Sequence, residues 1–314
     1  MANIYQQITA NRHSTWIIII VVVSFFLLIG LGFDHFYGVG LNMPAFTLAA
    51  LLFGVIASFG SYMYGDQLIL SSTHARELDL TDPKELQWHD VIEEMSIAAG
   101  IPVPKAYVIN DPDPNAFATG RDPKHASLAI TRGLLDTLNR DELQAVAAHE
   151  MSHVKNYDIR LMLMVAVLVG AIALIADWAS RGLFYGRRRS SGSSGKTQGT
   201  ALIIFLVIWL IGVILAPVLS QIMAMFVSRR REYLADASGA ELTRNPIALA
   251  SALEKISSRI EPTRSINQGT AHLCIIDPKG SSLNSKEGWV ADLFATHPPI
   301  HKRIEALKQM AYTG

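Results

Sequence analysis

One cysteine, Cys274, serves a chain of 314 residues. That scarcity excludes an intramolecular disulfide framework and fits a reducing compartment. Its place in the strand-like run His272 to Ile276 suits a small, buried apolar side chain. Net charge is missing as well, with 27 basic residues against 27 acidic ones. No global basic field therefore exists to gather nucleic acid, and none is expected as a partner. Charge of either sign is thin, 17% of residues against 50% hydrophobic, which leans away from a soluble globule and toward a membrane protein. No repeat of solenoid type is present.

The apolar residues fall in runs. Trp16 to Phe33 carries no charge and nearly crosses a bilayer's hydrocarbon core as a helix. It is longer than a usual signal-peptide core and no small-x-small cleavage site follows, so it reads as an anchor. A second uncharged run, Pro44 to Tyr64, offers Gly54 and Gly60 for close helix packing. Residues 1–64 thus form an N-terminal hairpin with spans at about 16–33 and 44–64. The loop between them lacks Lys and Arg, whereas Arg12 precedes the first span and Arg76 and Lys84 follow the second. Positive charge therefore puts both flanks in the cytosol.

Residues 65–158 have the character of a soluble domain. Asp82 and Pro83 look like an N-cap and first position of a helix that Gly100 ends. Strands are expected at Ala106 to Asn110 and Ser127 to Thr131, separated by a Pro, Asp and Gly-rich stretch containing "NAFATG". A further helix starts at Asn139, with Glu142 placed for a capping box. Residues 159–227 then form a hydrophobic hairpin, about 159–178 and 201–227, around a Gly/Ser-rich loop. The first arm has only 16 residues between Arg160 and Asp177, marginal for a crossing. Two full crossings would also put Arg181, Arg187, Arg188, Arg189 and Lys196 outside, against the charge rule. Either the first two spans outweigh those charges or the pair does not fully cross. Residues 228–314 return to the cytosol, with a helix from Pro246 to about Ile260, a short strand around Cys274 and a terminal helix from Pro299 to Met310.

The chemistry begins at "HEMSH". Residues four apart on a helix share a face, so His149 and His153 can aim both imidazoles at one Zn²⁺. Glu150 can then take a proton from a metal-bound water without ligating the metal. A solvated helix face would explain the three side chains differently, but Val146, Ala147, Ala148, Met151 and Val154 surround them, and unpaired imidazoles are costly there. A third protein ligand is needed, and Glu232 in "EYLAD" is the candidate, with Asp236 one turn on to orient a histidine. Both helices adjoin the third and fourth apolar runs, whose antiparallel packing would bring His149, His153 and Glu232 together beside the membrane surface.

"HEMSH", an apolar hairpin, "RRREYLADASGAEL" and "THPPIHKRIEAL" together resemble the HtpX family of integral-membrane zinc metalloproteases, relatives of the CAAX prenyl proteases. The resemblance covers essentially the whole chain. It implies an α-helical membrane protein with a cytosolic α+β zincin-like (gluzincin) domain and one zinc per chain on His149, His153 and Glu232. It further implies Glu150 as general base, the cytoplasmic side of the inner membrane, and quality control of damaged membrane proteins under stress. Asn115, Ala116 and Phe117 resemble the edge-strand segment that pairs with substrate in related zinc peptidases, although an Asn-containing turn fits equally. His297 or Arg303 suits stabilisation of the oxyanion, and His297 before Pro298 equally suits a helix start. Two alternatives are a prenyl-protein processor, for which four apolar runs are too few to enclose a lipid chamber, and a scaffold with a structural metal. A transporter-like scaffold should carry charges inside its spans, which are nearly charge-free.

Overall fold

Two long helices come first, α1 at Ile4–Phe36 and α2 at Ala45–Ser72. The structure is a computed structural model that describes residues 4–36, 44–165, 229–259, 263, 265–266, 270, 273–276 and 298–313. The second apolar hairpin beyond residue 165 and His297 lie outside the described residues.

α2 is built the opposite way from a soluble helix. Its buried face carries Thr47, Gly54, Ser58, Ser61 and Gly65, while Leu48, Leu52, Phe53, Ile56 and Phe59 are exposed. Small residues at the helix contact and large apolar ones outside suit a helix that packs in lipid. By length and composition α2 can cross a membrane. Of its two candidate packing glycines, Gly54 faces Phe26, where a Cβ would come within 2.9 Å of the ring, and Gly60 meets nothing within 4 Å. Pro44 supplies no side-chain cap. Asp34 of α1 does so instead, accepting from Phe46 N at 3.1 Å, Thr47 N at 2.9 Å and Thr47 Oγ1 at 2.6 Å.

The soluble character expected from Gly65 onward does not end α2 there. The helix continues to Ser72, and Ile69 and Leu70 in its last turns pack with Ile109, Phe117, Ala129, Met162 and Leu163. The end of α2 is thereby seated in the domain's own core. At the junction Arg160 lies over the rings of Tyr62 and Tyr157 and donates to the Arg121 carbonyl at 2.6 Å.

A four-stranded sheet follows, with β1 at Arg76–Glu77, β2 at Lys105–Ile109, β3 at Ala116–Gly120 and β4 at Ala126–Thr131. The spatial order is β1-β2-β4-β3, with β2 and β4 parallel and the two flanking pairs antiparallel. "AFATG" is therefore a strand of its own at one edge of the sheet. Its proline-rich approach and Gly120 hide that pattern in the sequence.

Helix α3 spans Pro83–Ala99, with Asp82 capping Lys84 N at 2.8 Å and Gly100 closing it at φ 68°. A short α4, Arg132–Thr137, is capped by Thr131. Helix α5, Arg140–Lys155, has the full capping box: Glu142 N donates to Asn139 Oδ1 at 2.9 Å and Asn139 N to Glu142 Oε2 at 2.8 Å. α6 runs Arg229–Thr243, α7 Pro246–Ser258 and α8 Ile300–Thr313. Glu142 also accepts from Ser251 Oγ at 2.7 Å and Lys255 Nζ at 2.8 Å, which ties α5 to α7. The run from Ala145 to Val154 is buried on every side, against α3, β3, α6 and α7. Each large apolar side chain buried there stabilises the fold by roughly 1.5–3 kcal/mol. No strand forms at Cys274; residues 274–276 are bends, and Leu273, Cys274 and Ile275 are buried.

Candidate metal centre and active site

The central helix α5 carries three ionisable groups into that apolar core. His149, Glu150 and His153 are 1%, 2% and 4% exposed. Their stacking follows from the helical repeat, with the two imidazoles on one face and Glu150 beside it. His149 Nε2 and His153 Nε2 are 3.3 Å apart. Two nitrogens each about 2.0–2.1 Å from a tetrahedral centre lie roughly 3.3–3.4 Å from one another, so the gap is that of two ligands on one ion.

Helix α6 brings the third group. Glu232 and Asp236 lie one turn apart on the face toward α5, and Gly239 one turn further lets the helices approach; a Cβ there would sit 3.0 Å from His149 N. Glu232 Oε1 is 3.5 Å from His153 Nε2 and its Oε2 is 3.9 Å from His149 Nε2. One ligand atom from each of His149, His153 and Glu232 falls within 4.8 Å of the others. The three residues expected as metal ligands are thus brought together from two distant segments.

Each imidazole is oriented through its other nitrogen. His149 Nδ1 is 3.0 Å from Asp236 Oδ1, and His153 Nδ1 is 3.0 Å from Asp158 Oδ2. With the carboxylates facing Nδ1, both Nε2 atoms face one another, an arrangement that one shared cation, proton or metal, relieves. Asp236 was anticipated in this place and Asp158 was not. Asp158 stands where the soluble pattern gives way to an apolar run, beyond a turn in which Tyr157 takes the left-handed φ of 61°. Its signal was the polar "KNYD" at the end of the metal helix.

Arg303 of α8 closes the far side and is wholly buried. Its Nε and Nη2 donate to Asp236 Oδ2 and Oδ1 at 2.8 and 2.7 Å, a bidentate pair. Its Nη1 donates to the Ile275 carbonyl at 3.0 Å and lies 3.3 Å from Glu232 Oε2. The guanidinium is the counter-ion of the two carboxylates on α6.

The protonation preferences follow from this crowding. Burial pushes the Glu150 carboxyl up to about 8, Glu232 adding to the shift. Burial alone would lower His153, but its bond to Asp158 and the charge of Glu232 outweigh that and raise it to about 9. Burial holds His149 below its usual value, with Asp236 opposing. Burial likewise works against the Asp236 anion, yet Arg303 draws it down to about 2. Three buried carboxylates, Asp158, Glu232 and Asp236, surround the two imidazoles. The surroundings that keep a proton on His153 also favour a divalent cation, so the donor set fits a metal.

The edge strand lies next to Glu150. Thr131 N donates to Asn115 O at 2.9 Å on the β4 side, so Ala116, Ala118 and Gly120 turn their main-chain groups to the outer edge. There the Ala118 N–H is bonded to Glu150, and the Ala116 carbonyl accepts from Ile275 N at 2.9 Å. Asn115 Nδ2 donates to the Ile276 carbonyl at 2.9 Å, and Phe117 is buried in the core.

A buried His-Glu-x-x-His helix beneath an edge strand, joined by a carboxylate from a distant helix, defines a metallopeptidase. Residues 83–311 match the model of peptidase family M48. The chain belongs to that family and is a metalloprotease acting on peptide bonds. It is 42% identical over 306 residues to the protease HtpX homolog of Dictyoglomus thermophilum, across 98% of this chain and 94% of that protein. The corresponding protein of Caldanaerobacter subterraneus subsp. tengcongensis is 41% identical over 308 residues, 98% of each chain. That of Streptococcus uberis is 39% identical over 310 residues, 98% of this chain and all of the other. Among solved structures, the crystal structure of S. mikatae Ste24p superposes with a TM-score of 0.51 at 19% identity, over 96% of this chain and 67% of that one. At that identity the likeness is one of fold.

Proposed function

We propose that the chain is a membrane-bound zinc endopeptidase whose substrates are membrane proteins with damaged or misfolded segments, and that its active site faces the cytoplasm. The observation that carries the reading is the meeting of His149, His153 and Glu232 with Glu150 beside them, hydrogen-bonded to the edge strand. His149, His153 and Glu232 would hold one Zn²⁺, which when bound lowers the pKa of water toward 7 and polarises a carbonyl. The chain's own part is proton handling and positioning. Glu150, as the carboxylate that a bound cation beside it would favour, accepts the proton of the attacking water; its burial favours the resulting acid, which passes that proton to the leaving amine. Asp158 and Asp236 hold the imidazoles, and Arg303 holds Asp236 and Glu232 in place.

The substrate backbone would add to the outer edge of β3. Ile275 already takes the Ala116 carbonyl, Ile276 the Asn115 amide and Glu150 the Ala118 N–H, which directs pairing toward the Ala118 carbonyl and Gly120. Quality control is consistent with the HtpX name of the relatives. A cytoplasmic site follows from the charge around the first two spans. Of His297 and Arg303, both expected candidates for the oxyanion, we assign that role to His297, because each Arg303 nitrogen already faces Asp236, Glu232 or the Ile275 carbonyl.

Detergent-purified full chain stripped by a chelator should cleave casein only after zinc is restored. Equal cleavage before and after restoration would contradict the proposal.

A further inference from the structure

The N-terminal helix does more than anchor. Asn11, in its third turn, is 5% exposed and uses its whole amide group. Its Nδ2 donates to Asp158 Oδ1 at 2.7 Å and to the Asn156 carbonyl at 2.9 Å. Its Oδ1 accepts from Arg231 Nη1 at 3.0 Å, and that guanidinium nitrogen is also 3.5 Å from Asp158 Oδ1. Asp158 turns its other oxygen to His153 Nδ1 at 3.0 Å. Arg231 directly precedes Glu232 on α6. One amide therefore joins the base of α1, the turn that ends α5 and the start of α6, where the two metal-bearing helices meet.

We infer that Asn11 is a positioning residue for the metal centre, acting through Asp158 and resting on the zinc reading of that site. A carboxylate beyond a left-handed turn has rotamers that point away from the imidazole. Asn11 selects the one in which Oδ1 receives the amide N–H and Oδ2 faces His153. Only an amide supplies this combination, donating to Asp158 and the Asn156 carbonyl while accepting from Arg231. An aspartate of the same shape would set a second carboxylate against Asp158. The site's geometry is thereby linked to the seating of the first membrane helix.

The test is zinc affinity, measured on apo full-length chain in detergent by competition with a chromophoric chelator, alongside thermal unfolding and the split of kcat from KM. Asn11→Leu should weaken zinc binding about tenfold, the usual lower bound for losing an outer partner of a metal ligand. It should lower kcat at saturating zinc while KM changes less than twofold. Asp158→Asn should weaken zinc at least as much, and adding Asn11→Leu to it should cost less than a further twofold, since the route through Asp158 is already gone. Should Asn11→Leu not fold, Asn11→Asp carries the same test with the same expected loss. A parent that binds zinc and an Asn11 variant that binds it equally tightly, with only thermal stability reduced, would overturn the inference and leave the zinc reading standing. Losses that simply multiply in the double variant would overturn it too. A parent that takes up no zinc would overturn both.

Discussion

Glu150→Gln is expected to abolish proteolysis while leaving metal content unchanged. Glutamine keeps the size of the side chain and a carbonyl oxygen that can accept the Ala118 N–H, but it neither takes a proton from water nor returns one to an amine. General acid–base groups contribute typically ~10²–10⁴-fold, and the proposed role gives one carboxyl both halves of the reaction, so a loss near the upper end is expected. Casein cleavage and zinc per chain should be measured on the same preparation. Activity lost together with metal would instead make Glu150 a support of the binding site, and activity retained would remove it from catalysis.

Arg303→Met should have the largest effect on stability. The arginine is wholly buried and neutralises Asp236 through two hydrogen bonds while lying 3.3 Å from Glu232. Methionine fills similar volume and leaves two buried carboxylates without their cation, a change that costs about 3–5 kcal/mol. A fall in Tm of roughly 5–15 °C follows for the zinc-free chain. Arg303→Lys should rescue little, because an ammonium cannot make the bidentate pair. Combining Arg303→Met with Asp236→Leu should regain part of the stability by removing the stranded charge. It should not regain zinc affinity, because His149 Nδ1 then has no carboxylate. A Tm for Arg303→Met equal to the parent's would contradict this account of the residue.

Much of the metal centre is legible in the sequence because it rests on helical periodicity. The spacing of His149 and His153 and that of Glu232 and Asp236 each place a pair on one face, and Asn139 with Glu142 marks where the metal helix begins. Groups set by tertiary contact are not legible in that way. Asp34 caps a helix other than its own, so no local spacing reveals it. β3 approaches through Pro112 and Pro114, which reads as a turn until β4 is seen to pair with it. Asp158 and Asn11 are 147 positions apart and meet only because α1 returns to the end of α5. The stretch around Cys274 has the composition of a strand, yet among the described residues it is held by separate bonds to Ala116, Asn115 and Arg303 and not by a ladder. The last turns of α2 carry polar neighbours that suggest a boundary at Gly65, while the packing of Ile69 and Leu70 carries the helix on.

The central claim is that two imidazoles from α5 and one carboxylate from α6 hold a single zinc ion. Elemental analysis of the dialysed full chain, parent against Glu232→Ala, tests it most directly. One zinc per chain in the parent and essentially none in Glu232→Ala is the predicted result; equal zinc in both would contradict it.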